Sequence, residues 1–137
     1  MRRLYMLGLF VAAFGCQAPM ARIAPQPLPE DTPPMPYADL VSRLRQLAMS
    51  AHEAFYLDRW DEVETTARAL QQSARFLTKA LSVPPERVAD LGQKSETLAT
   101  DAGQLRDAAK ARPPDVTNIN AILQRIHLQV RALRPGA

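Results

Sequence analysis

Few side chains in this sequence are of a kind that does chemistry, and their spacing restricts what that chemistry is. The clearest is His127, in the stretch "NINAILQRIHLQVRALRPG" near the C-terminus. On a helix it lies one residue after Ile126 and four after Leu123, so it borders an apolar stripe, with Arg131 one turn further along the same face. A neutral imidazole so placed can ligate iron or another metal; the position also suits a boundary residue whose ring is partly solvated. The second histidine, His52, has no partner pattern around it. Asp61, Glu62 and Glu64 are spaced as a solvated helix face and not as a general acid and base pair. The chain has no Gly-rich phosphate loop, no nucleophile elbow and no His/Cys cluster with metal-ligand spacing, so neither an enzyme nor a metal centre is expected.

The remaining reactive side chain is Cys16, the one cysteine in 137 residues. Before it, Arg2 and Arg3 form a positive n-region and Leu4 to Phe14 an uncharged apolar run of about eleven residues, as in a secretory signal peptide. That run is shorter than the roughly 20 apolar residues a membrane-spanning helix needs. Ala13-Phe14-Gly15-Cys16 resembles the lipobox of a bacterial lipoprotein signal, with Ala13 where the pattern has leucine and Phe14 where it has a small residue. The resemblance implies removal of residues 1–15, acylation of Cys16 and, because Gln17 and not aspartate follows, outer-membrane retention facing the periplasm. Membrane attachment is then through acyl chains. An ordinary signal peptide cut near "AFG" or after Ala18 is the other reading. A lone cysteine makes no internal disulfide, and acylation removes a thiol that an oxidising compartment would attack.

Loss of residues 1–15 takes the balance from 17 cations against 14 acids to 15 against 14, a net charge of about +1. No Lys/Arg-rich run remains, which argues against a nucleic-acid partner. Residues 16–37 carry the lipidated cysteine and the stretch "APMARIAPQPLPEDTPPMP", too proline-rich for a regular element and expected to act as a semi-rigid tether. Residues 38–137 are left for one domain.

That domain reads as all-α. Trp60, Val63, Ala67, Leu70, Ala74, Leu77 and Leu81 step by three and four without a break, and Val88, Leu91, Ser95, Leu98, Ala102, Leu105 and Ala109 repeat the pattern. Leu40, Leu44, Leu47, Ala51 and Ala54 form a stripe before them; Ile119, Leu123, Ile126, Val130 and Leu133 form one after. Asp58, Asp61 and Glu62 place acids at a helix start, and Pro84-Pro85 and Pro113-Pro114 break the other two junctions. The spacing predicts helices over 38–57, 59–82, 86–111 and 116–134 in an antiparallel up-down-up-down four-helix bundle. Met49 and Trp60 are expected in the core at one bundle end, while Phe55, Tyr56 and Leu57 either cap that end or offer a partner site.

Four antiparallel helices, an Asp58-Arg59-Trp60-Asp61 turn and His127-x-x-x-Arg131 together resemble the cytochrome c-prime superfamily with its soluble b-type relatives. The resemblance spans the domain of about 100 residues and makes His127 the candidate axial haem ligand, with Arg131 in support. The five residues ending at His127 are Leu123-Gln124-Arg125-Ile126-His127, without the two cysteines that attach haem covalently. Any haem would be non-covalent, with a first-helix methionine as second ligand; that position falls on Leu44, and Met49 is the nearby methionine. The superfamily also implies a homodimer as one candidate assembly. The expected role is a haem-free, non-catalytic binding or structural lipoprotein with a protein partner. A b-type haem or metal protein using His127 is the alternative. A third reading takes "AHEAFYLDRWDEVETTARAL" as a tetratricopeptide-like hairpin, although the window 34 residues later, "GQKSETLATDAGQL", lacks its aromatic and its turn.

Overall fold

A computed structural model describes residues 24–134, and all the regular elements in it are helical. Helix α1 spans Tyr37–Tyr56 and α2 Trp60–Phe76, the latter closed by a 3-10 turn at Leu77–Lys79; α3 is a single turn at Pro85–Val88, α4 runs Leu91–Lys110 and α5 Val116–Ala132. Each long helix packs on two others: α1 on α2 and α5, and α4 on α2 and α5, an arrangement compatible with a four-helix bundle. The residual turn α3 touches α4. Among the described residues no helix is long and apolar enough to cross a membrane. The signal-peptide residues and Cys16 lie outside the described segment.

The apolar stripes account for the core. Leu40, Leu44, Leu70, Leu98, Leu105 and Ile126 are completely buried, and Ala67, Ala74 and Ala102 bring α2 and α4 close together. Gly103 adds to that approach: a Cβ there would come within 2.8 Å of the Gln71 amide nitrogen. Ser95, the polar member of its stripe, is satisfied by donating to the Ala74 carbonyl at 2.6 Å. Burying a hydroxyl without such a bond costs on the order of 1–3 kcal/mol, so this contact keeps the stripe's polar position tolerable.

Three sequence expectations are corrected. The helix over 59–82 stops short, because Ala80 turns extended and the Leu81 backbone is used elsewhere: its N–H donates to Met35 and its carbonyl accepts from the Tyr37 N–H. Leu81 is consequently 52% exposed. The helix over 86–111 is interrupted at Ala89 and Asp90, which leaves Val88 62% exposed on the separate turn α3. Tyr37, assigned to the tether, is a core residue that starts α1; its hydroxyl donates to the Leu133 carbonyl and sets the beginning of α1 beside the end of α5. Burial pushes this phenol's pKa up, which keeps it the protonated donor.

Residues 24–35 have no regular structure, yet part of the segment is clamped to the helices. The Gln72 side chain accepts from the Leu28 N–H and donates to the Leu28 carbonyl, both at 2.6 Å, so one amide imitates the ladder contacts of a neighbouring strand. Arg43 reaches across from α1, donating to the Gln26 carbonyl at 2.9 Å and to the Ser73 hydroxyl at 3.0 Å.

Candidate functional site

His52 on α1 and His127 on α5 face one another. The His52 Nδ1 and His127 Nε2 atoms are 3.0 Å apart, with ring centroids 5.0 Å apart. A hydrogen bond at that distance needs one N–H and one lone pair, so the two facing nitrogens share one proton and the contact is lost when both rings are cations. Tyr56, one turn after His52, lies tilted against its ring at 4.8 Å, and Phe55 approaches it edge-on at 6.4 Å. Phe55 also meets Trp60 edge-on at 6.0 Å, which links the cluster to the start of α2. Burial lowers the His127 pKa below the ordinary imidazole value, and the nearby His52 charge lowers it further.

Beside this pair an open groove of about 360 Å³ runs between α1 and α5, lined by Arg45, Ala48, Met49, His127, Val130, Arg131 and Arg134. Three residues singled out in the sequence, His127, Arg131 and Met49, thus meet in one place. Met49 is not in the core, where the sequence placed it: it is 58% exposed at the groove, because it falls off the Leu40-Leu44-Leu47-Ala51-Ala54 stripe. Leu44, the methionine position of the b-type relatives, is completely buried and does not line the groove. Trp60 is half-buried and packs against the edge of the core. Tyr56 and Leu57 are exposed.

The electrostatics of the groove are one-sided. No carboxylate lines it, and α5 carries no acid between Val116 and Ala132. Elsewhere five arginines are paired, Arg59 with Glu62, Arg68 with Glu64, Arg106 with Asp107, Arg112 with Asp61 and Arg125 with Asp101, while Arg43 donates to neutral acceptors. Among the described residues, the guanidinium groups of Arg45, Arg131 and Arg134 have no such partner. These pairings also explain Asp61, Glu62 and Glu64, which bind arginines on the helix surfaces and converge on no reacting atom.

Two groups escaped the sequence reading. His52 carried a usable signal, since it follows Ala51 of its stripe by one residue as His127 follows Ile126; positions one past a stripe on neighbouring helices border a common seam. Asp101 is a buried carboxylate on α4 that accepts from Arg125 Nη2 at 3.0 Å and from the Gln129 amide, tying α4 to α5. Its signal was an acid adjoining the stripe residue Ala102. Both contacts fix α5, which carries His127.

A metal ion finds little support among these side chains. No group of three or more His, Cys, Asp or Glu among the described residues is placed to hold one, and three guanidinium groups next to the His pair raise the cost of a cation there. The His127 nitrogen that a haem iron would need on the α1 side is engaged by His52, and Ala48 and Val130, both almost fully buried, line the groove between α1 and α5. Compared with known proteins, the chain is matched by no family model, no curated protein and no solved structure.

Proposed function

We propose that this chain is a lipid-anchored protein of the bacterial envelope, held at the outer membrane by acyl chains on Cys16 and facing the periplasm. Its helices form an antiparallel up-down-up-down four-helix bundle that resembles the cytochrome c-prime type without covalent haem. The role is non-catalytic binding. The observation that carries this reading is the separation of core from chemistry: the interior is filled by Leu, Ile and Ala, while the His52–His127 pair and the unpaired arginines lie outside it along one groove. Such an arrangement favours recognition at a surface over a cofactor held within. The tetratricopeptide reading is disfavoured because α5 packs on both α1 and α4, whereas a repeat module would leave its final helix unpaired.

The anchoring is tested by growing bacteria that express the chain in labelled palmitate. Wild-type protein should take up label and fractionate with the outer membrane, and Cys16→Ser should do neither; an unlabelled wild-type protein removes the lipoprotein assignment. Haemin titration followed by absorption tests the haem-free part. No stoichiometric Soret band that depends on His127 is expected, and a band lost in His127→Ala would replace this reading with a b-type haem protein.

A further inference from the structure

We propose that the groove between α1 and α5 binds a phosphate group, whose oxygens are held by the guanidinium groups of Arg45, Arg131 and Arg134 with the His127 ring as an additional donor. This deepens the binding role above and rests on it. Three arginines without acidic partners line one groove with no carboxylate on its walls, whereas five of the other described arginines are paired with acids. The mature chain is close to neutral, so this is a local concentration of positive charge and not part of a generally basic surface. Guanidinium forks match phosphate oxygens geometrically and charge-assist each hydrogen bond. A divalent cation is repelled by the same groups.

The shape of the groove narrows the ligand class. Its floor is the apolar pair Ala48 and Val130, with the exposed Met49 at its side. A phosphate ester on a short apolar or glycerol stem therefore suits it. Two sources share that chemistry: the diester headgroup of an anionic phospholipid, and a free phosphate.

His127 adds a switch to the site. Its proton is shared with His52 while the pair is intact. When both rings are protonated the bond between them breaks, and the His127 Nε2–H is released to face the anion. The group facing this ring is His52 from α1, itself stacked on Tyr56; Arg131 and Arg134 line the groove from the α5 side and Arg45 from α1. Nothing acidic is among them, so a bound anion is what compensates the added charge. Phosphate and proton binding are then mutually strengthening, as linkage requires.

The test uses the full chain in maltoside micelles, which carry no phosphate, with the His127 ring protons followed by NMR at constant ionic strength. Inorganic phosphate and glycerophosphoglycerol, the chain-free headgroup of phosphatidylglycerol, are titrated separately at pH 7 against chloride. A saturable shift is expected, with a rise in the pH at which His127 titrates. The double variant Arg45→Gln/Arg131→Gln should weaken binding at least about tenfold, equivalent to about 1.4 kcal/mol, and Arg68→Gln on another face should leave it unchanged. Saturation by the diester alone identifies a lipid headgroup; saturation by inorganic phosphate alone identifies a free phosphate; saturation by both defines a general phosphate site. A shift reproduced by chloride, one that never saturates, or one indifferent to the double variant overturns the proposal. The palmitate result is independent of all of these.

Discussion

At the scale of single residues, the His52–His127 contact makes folding sensitive to pH in a definite direction. Folded His127 holds its proton less tightly than it would in an unfolded chain, where imidazole titrates near about 6.5. The unfolded state therefore binds more protons between the two values. The stability due to this ring is fully present above about 6.5 and is lost as pH falls through the lower folded value. Chemical unfolding measured between pH 8 and 5 should show a decline in stability beginning below the unfolded value, and His127→Gln should flatten that part of the curve. An identical curve in the variant would mean that the pair carries no such penalty. His127 and Arg131 were legible in the sequence because both relate to a stripe on their own helix. The contact with His52 was not, because it depends on the register between α1 and α5, which the period within one helix does not contain.

At the scale of elements, the stripes located every long helix, and the errors fell where backbone geometry overrides side-chain pattern. Leu81 and Val88 continue the three-and-four rhythm, so counting them into helices was natural. Around Leu81 the chain turns away: Ala80 before it is extended, Ser82 after it adopts a left-handed conformation with φ 56°, and Pro84 cannot donate to a helical ladder. Pro85 then restarts a turn that lasts only to Val88. Left-handed backbone costs an ordinary L-residue roughly 1–2 kcal/mol, partly offset in glycine by its freer unfolded chain. Ser82 is exposed, so Ser82→Gly should raise stability by up to about 1 kcal/mol in urea unfolding. A loss of stability instead would show that the serine side chain supports the turn. The left-handed residue at the other junction, Asp58, is a residue type that tolerates this conformation, so the same replacement there should bring less.

At the scale of the whole molecule, the proline-rich segment changes how far the domain stands from its proposed anchor. Because prolines exclude helix and sequence pattern assigns no extended strap to a helix surface, the sequence predicts a tether up to residue 37. The Leu28 and Gln26 clamps on Gln72 and Arg43 shorten that tether. Gln26, the first clamped residue, is then ten positions beyond Cys16, a reach of at most about 36 Å, against about 75 Å for the 21 positions to Tyr37. With the proposed anchor at Cys16, a short reach would keep the domain close to membrane headgroups, which favours the lipid source of the phosphate proposed above. The Gln72 side chain supplies both hydrogen bonds to Leu28, so Gln72→Ala removes that clamp while leaving the Arg43 contact with Gln26 in place. Hydrogen exchange at the Leu28 amide should accelerate in that variant by about five- to tenfold, as expected for loss of bonds worth about 1 kcal/mol net, while amides in the middle of α2 keep their protection. If Leu28 exchanges as fast in the wild type as in the variant, the strap is not held by Gln72 and only the Arg43 contact with Gln26 shortens the reach. If the α2 amides accelerate with it, the strap is part of the cooperative fold, and the domain boundary lies at the clamp and not at the first helix.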